Sequence, residues 1–308
     1  MTTIQKILFP TDFSRCADQA LSHAAFLARR FGAELHLLHA VVLHGDDPAN
    51  PIYEFPDPDE LYRLAEEAAK QRLEGLLPEV GSELKIHRAH RRGIAPAAVI
   101  LEYASEVGVD LIIVGTHGRR GLGRLVLGSV AEEVVRLASC PVMTLREQED
   151  PRPVEALERI LVPVDFSDPS KRALDSAVEL ARVYDSHLQL LHVVQPMAYP
   201  QVYFPGSTSA VTADYAAITR YSQEGLDELA AEYPQLKGRI STHVLEGYPA
   251  TTISDFAKDH DSDLVVISTH GHTGLAHLLL GSVAEKVVRL AEMPVFVVKA
   301  FEGGEEES

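Results

Sequence analysis

Gly128-Ser-Val-Ala-Glu-Glu-Val-Val-Arg-Leu-Ala138 returns later in the chain as Gly281-Ser-Val-Ala-Glu-Lys-Val-Val-Arg-Leu-Ala291, differing only at Glu133 against Lys286. The offset of 153 residues also relates Asp12-Phe-Ser14 to Asp165-Phe-Ser167, His39 to His192 and Pro141 to Pro294. A constant offset over so long a span is the mark of a duplicated domain. A chain of 308 residues accommodates two domains of ordinary size. The expected boundaries are residues 1–147 and 158–300, joined by a polar linker (148–157) with Pro151 and Pro153 and followed by an acidic tail (301–308).

Outward from the repeat, short apolar runs alternate with helical patterns. Ile7-Leu-Phe9 predicts a strand ending at Pro10-Thr-Asp12, and Cys16 to Phe31 predicts a helix stopped at Gly32, a fitting C-terminal cap. Leu35–Val42, a weaker segment around Leu84–His90, Asp110–Val114 and Val142–Leu145 supply four more strands. Helices are expected over Asp59–Leu77, Ala95–Val107 and Val130–Leu137. Strands that are apolar throughout, each followed by a helix, indicate a parallel sheet covered on both sides. The second half repeats the pattern from Ile160 to Val298. The expected class is α/β: two tandem Rossmann-like domains, each an open five-stranded parallel sheet in the order 3-2-1-4-5 with helices on both faces.

Composition bounds the partners. The formal net charge of −17 argues against nucleic acid, whose phosphate backbone needs a basic surface, and against an anionic membrane surface. Apolar runs all fall short of the roughly 18 residues a membrane span needs, and the N-terminus lacks a signal-peptide pattern. Two isolated cysteines, Cys16 and Cys140, fit a reducing, cytoplasmic setting better than a disulfide framework. Cys140 is expected to be a small buried hydrophobe, since Met293 is its counterpart.

In an open doubly wound sheet, ligands bind beyond the carboxyl ends of the strands, where the strand order reverses. Strands one and four flank that point, and their ends carry the unusual residues. Strand four runs into Gly115-Thr-His-Gly118 and a loop that closes at Gly128-Ser129, a G-x2-G-x9-G-S spacing. Gly115 and Gly118 allow close backbone approach and positive φ. Gly128-Ser129 opens a helix whose unpaired amides and dipole attract phosphate, and the serine hydroxyl can either cap that helix or bond a phosphate oxygen. Arg119, Arg120 and Arg124 lie in the loop, where they can pair with phosphate charge. Asp12, across the switch point, is suited to accept hydrogen bonds from a ribose or an adenine amine. The same residues also admit a plain structural account, with glycines in turns, Ser129 as a cap and Asp12 capping the first helix.

Together, the Pro-Thr-Asp strand end, the G-x2-G-x9-G-S loop, the Ser-Val-Ala-Glu helix and Cys140-Pro-Val resemble the universal stress protein family, over nearly the whole chain and twice. The resemblance implies ATP or ADP, with or without Mg2+, held in the first domain by Thr11, Asp12, Val114, Gly115, His117, Gly118, Gly128, Ser129 and Val130, with Arg119 beside the phosphates. Ala40 takes a position whose backbone meets the adenine and which is usually Val. In the second domain the matching residues are Asp165, Val193, Ser268, His270, Gly271, Gly281, Ser282 and Val283. There Ser268 replaces the leading glycine, while His272, Thr273 and His277 replace the three arginines. Weaker nucleotide binding is therefore expected in the second domain.

Among fourteen histidines no spacing matches a metal-ligand pattern, so no metal site is expected. His39 and His192, at strand ends, are read as structural. No Gly-x-Ser-x-Gly elbow and no phosphate-loop Gly-Lys-Ser/Thr appears, so hydrolysis would at most be slow. A regulatory ATP-binding protein of the stress response stands first; a slow ATPase and a stress scaffold with a vestigial site stay open beside it. The segments Leu43–Pro58 and Gln195–Ala216 are long enough to be lids above the switch point or plain surface loops. The terminal strands Pro141–Leu145 and Pro294–Val298 are apolar, and an apolar edge is normally covered. The resemblance implies that they pack together as an intramolecular pseudo-dimer, with or without further pairing of two chains.

Overall fold

Ile7, Leu8 and Phe9 are each fully buried. Because successive residues of a strand point to opposite faces, this first strand must be covered on both sides. The computed structural model describes residues 4–42, 58–77, 84–116, 127–149, 154, 157–195, 215–269 and 280–299. The chain divides into two units, Met1–Glu155 and Ala156–Ala300.

Unit 1 runs β1 (Lys6–Pro10), α1 (Arg15–Phe31), β2 (Glu34–Val41), α2 (Pro58–Glu74), β3 (Ile86–Arg92), α3 (Pro96–Val107), β4 (Leu111–Gly115), α4 (Ser129–Leu137) and β5 (Val142–Leu145). Its strands are parallel in the order β3-β2-β1-β4-β5, so the order reverses between β1 and β4. Helix α1 starts where the Ser14 side chain accepts from the Ala17 amide, and stops at Gly32 with φ 65°, the left-handed cap expected there. Helix α1 packs mainly on β4 and β1, α2 on β3 and β2, α3 on β2 and α4, and α4 lies on β5.

Unit 2 repeats this with β6 (Arg159–Pro163), α5 (Asp168–Tyr184), β7 (His187–Val194), α6 (Tyr215–Ala231), β8 (Ile240–Glu246), α7 (Pro249–Asp259), β9 (Leu264–Ser268), α8 (Ser282–Leu290) and β10 (Val295–Val298). The order is β8-β7-β6-β9-β10, again parallel. One carboxylate in each unit ties the start of the fourth strand to the start of the first. Asp110 Oδ2 accepts from the Gln5 and Lys6 amides, both at 2.8 Å, and Asp263 Oδ2 accepts from those of Glu158 and Arg159, both at 2.9 Å.

Element boundaries shift by one to three residues from the sequence expectation. Strand β3 reaches Arg92 rather than His90, since its ladder with β2 continues through the pairs Ala40–Arg91 and Val41–Arg92. Helix α2 ends at Glu74, and Leu77 has left the helix with φ 51°. Cys16 and Cys140 are both buried free thiols. The aromatic residues Tyr53, Phe55, Tyr199, Tyr203 and Phe204 of the two long segments lie outside the described residues, as do the tail 301–308 and most of the segment joining the units.

Candidate functional site

The crevice at the order reversal is built from the ends of β1, β2 and β4 and the start of α4. Beyond β1 the chain stays in register for one more residue, since the Thr11 amide donates to Leu38 O at 2.8 Å. It then turns sharply. Thr11 Oγ1 accepts from the Phe13 amide at 2.9 Å and Asp12 Oδ1 from the Ser14 amide at 3.0 Å, while Phe13 is left at φ 61°. A bulky residue in the left-handed region costs roughly 1–2 kcal/mol, so the turn must be held by its surroundings. The Phe13 ring rests on His39 at 4.6 Å, the Arg72 guanidinium lies 4.2 Å from its centroid, and His39 Nδ1 donates to Thr11 O at 2.7 Å.

The same turn recurs in unit 2: Phe166 has φ 64°, its ring lies 4.8 Å from His192, and His192 Nδ1 donates to Val164 O at 2.7 Å. Both histidines thus brace the strand end, in line with a structural role. The positive φ of Phe13 and Phe166 was not legible from composition or periodicity. Its one signal is the repetition of Asp-Phe-Ser itself. Asp12 does not cap α1; that role belongs to Ser14, and Asp12 shapes the turn before it.

At the end of β4, the Thr116 amide donates to Leu145 O at 2.7 Å. Thr116 O then accepts from the Gly128 amide, also at 2.7 Å, so both stems of the intervening loop meet at one residue. Gly128 is the N-cap of α4 and makes no side-chain cap; Ser129 is the first helical residue and is exposed. The helix therefore begins with first-turn amides that its own cap residue does not satisfy, at its positive end. Thr269 and Gly281 reproduce the clamp at 2.7 Å in unit 2, ahead of Ser282 and Val283.

The glycines have a more local reason than ligand approach. Gly115 does not lie in the left-handed region; a Cβ there would stand 2.9 Å from Cys16 Sγ and 3.3 Å from the Cys16 carbonyl carbon. Its bareness lets the first turn of α1 pack against the end of β4. A Cβ on Gly128 would sit 2.8 Å from Thr116 O. In unit 2, Pro169 replaces Cys16 and the buried Ser268 replaces Gly115, so neighbour and residue change together. Gly115→Ser alone is accordingly expected to lower the stability of the protein by about 1–3 kcal/mol, an overpacking cost. Cys16→Ala should return part of it, and a double-mutant cycle by chemical denaturation reads the coupling.

The structure thus sets Thr11 and Asp12 just beyond β1, Gly115 at the end of β4, and Gly128, Ser129 and Val130 at the start of α4, with Val114 buried on β4 and Ala40 near the end of β2. Asp165, Val193, Ser268, Gly281, Ser282 and Val283 hold the matching places in unit 2. At the aspartate of unit 2, Asp165 Oδ1 takes both the Ser167 amide at 3.0 Å and the Ser167 hydroxyl at 2.5 Å. His117, Gly118, Arg119, Arg120 and Arg124 lie outside the described residues, as do His270, Gly271, His272, Thr273 and His277.

Comparison with known proteins matches this duplication. The model of the universal stress protein family fits residues 3–146 and again residues 156–299. A universal stress protein of Mycobacterium tuberculosis is 28% identical over 291 residues, covering 90% of this chain and 93% of that protein. One from Methanocaldococcus jannaschii is 34% identical over 142 residues, 46% of this chain and 82% of that protein. The crystal structure of a universal stress protein from Archaeoglobus fulgidus covers 98% of this chain, and all of its own, with a TM-score of 0.67 at 22% identity, which shows a shared fold. With its domain model matched twice over most of the sequence, the chain belongs to the universal stress protein family as a tandem pair of its domains.

Proposed function

We propose that the protein is a regulatory stress-response protein that binds ATP or ADP in the crevice of unit 1. The observation that carries this reading is the start of α4: a helix end whose cap residue, Gly128, offers no side-chain cap, held by the Thr116–Gly128 clamp at the point where the strand order reverses. Phosphate would take the first-turn amides and the Ser129 hydroxyl, aided by Arg119 and its neighbours in the loop. Asp12, on the far side, would accept from the nucleoside. Val114, His117, Gly118, Val130 and the Ala40 backbone complete the proposed set. Mg2+, where it accompanies the nucleotide, would add charge neutralisation at the phosphates.

Unit 2 has the same frame with fewer cationic groups. Histidines and a threonine stand where unit 1 has arginines. We propose that it binds nucleotide more weakly, through Asp165, Val193, Ser268, His270, Gly271, Gly281, Ser282 and Val283. In the plain regulatory sense, nucleotide occupancy stabilises the unit that holds it, by about 2.7 kcal/mol at a hundredfold excess over Kd.

Mass spectrometry of small molecules released from freshly purified full-length protein should find ATP or ADP. Phosphate release from added ATP should stay near the buffer rate, because the sequence offers no lysine and hydroxyl pair of the phosphate-loop kind to organise phosphoryl transfer. Turnover at an enzymatic rate would favour the ATPase reading instead.

A further inference from the structure

A second cluster of chemically capable side chains lies in unit 1, away from the crevice. Glu34 and His36 stand two apart on β2 and so share a face of the sheet. His87 of β3 is the register partner of His36, which puts all three side chains on that face. Their potential ligand atoms lie within 4.8 Å of one another. Glu34 Oε2 is 3.2 Å from His87 Nε2 and 3.8 Å from His36 Nε2, and the two imidazoles stack with centroids 4.6 Å apart.

Two features set this apart from a chance grouping. His36 is only 5% exposed, and its Nε2 is buried without a hydrogen-bond partner among the described residues, while Nε2 of His87 faces Glu34 Oε2. A buried nitrogen with no partner is destabilising, so its persistence calls for an explanation. The other nitrogen of His36 is fixed: Nδ1 lies 2.9 Å from Tyr103 Oη. An Nδ1–H donated to that phenol leaves the Nε2 lone pair pointing at Glu34 and His87, the arrangement in which an outer partner orients a metal-ligating imidazole.

We propose that Glu34, His36 and His87 form a binding site for a divalent transition-metal ion of the zinc type, with Tyr103 as the positioning residue and solvent completing the coordination. Two imidazoles and a carboxylate are a donor set that zinc accepts, and the glutamate and His87 side chains, 30% and 41% exposed, leave the remaining position open to water. Two ammonium groups oppose a dication nearby: Lys6, whose Nζ donates to Val107 O at 2.8 Å, and Lys85, which pairs with Glu34 Oε1. Lys85 is 64% exposed and can swing into solvent, leaving Oε2 for the metal. Unit 2 has no counterpart, for Gln189 and Ser241 occupy the register pair equivalent to His36 and His87, and the Gln189 Oε1 accepts from Ser262.

The test is a titration of Zn2+ into the metal-free full chain against a chromophoric chelator. The expected result is zinc held in competition with the chelator, weakened by more than about 100-fold in His87→Ala and in the double variant His36→Gln, His87→Ser, which copies unit 2. Tyr103→Phe should weaken it by about 10-fold or more while leaving both histidines in place. Circular dichroism checks each fold, and Glu34→Gln replaces any variant that fails to fold. The proposal is overturned if the chelator strips the wild-type chain completely, or if the folded variants retain zinc as tightly as the wild type, which would place the metal on other histidines.

Discussion

Gly128→Val should abolish nucleotide binding by unit 1 and cost about 1–3 kcal/mol of stability, as overpacking against an immovable neighbour does. The neighbour is backbone: the added Cβ would lie 2.8 Å from Thr116 O, which cannot rotate aside as a side chain can. Relief requires Gly128 to move away from Thr116, and that breaks the 2.7 Å hydrogen bond closing the loop. Ala131, Val134 and Val135 bury the inner face of α4, so the helix cannot follow without disturbing the core. The first-turn amides would no longer converge where phosphate is proposed to sit. Gly281→Val, on the equivalent clamp at Thr269, should lower stability similarly but remove only the weaker site. Calorimetry with ATP reads binding and urea denaturation reads stability; unchanged ATP affinity in folded Gly128→Val would show that the phosphates lie elsewhere.

Asp12→Asn separates the ligand role of this residue from its turn-forming role. The side-chain oxygen that accepts from the Ser14 amide is kept by asparagine, so the turn and the Ser14 cap should survive. What disappears is the negative charge that would strengthen a hydrogen bond from the ribose or the adenine amine. A charge-assisted bond is worth about 1.5–3 kcal/mol, so ATP should bind roughly 10- to 100-fold more weakly, with little change in the melting temperature of the nucleotide-free protein. A loss of stability without loss of affinity would assign Asp12 to the turn alone.

Much of the architecture was legible because it rests on periodicity. Buried strands such as Ile7–Phe9 and Leu111–Val114 are apolar at every position, and helix ends carry their stop signals, Gly32 and Gly108, at φ 65° and 69°. The site was legible in part. Candidate residues could be listed from motif and spacing, but not the packing reasons for some of them. Gly115 and Gly128 read as ligand-contacting glycines, whereas their missing Cβ atoms face Cys16 and Thr116. That depends on how β4 meets α1 and α4, contacts between elements about 12 to 100 residues apart in sequence.

Phe13 escaped notice because nothing in an aromatic residue signals a left-handed backbone; the conformation is imposed by Thr11, Asp12 and His39. The cluster of Glu34, His36 and His87 escaped for a related reason. The alternation of β2 places Glu34 and His36 on one face, but His87 joins them only through the β2–β3 register, and β3 is the most polar strand of its unit.

The central claim, nucleotide held mainly by unit 1, is tested most directly by titrating ATP into the nucleotide-free full chain with calorimetric detection. The account predicts a tight first site that vanishes in Gly128→Val and persists in Gly281→Val. A titration without heat, together with an unshifted melting temperature at saturating ATP, would contradict it, as would a tight site that is lost only in Gly281→Val.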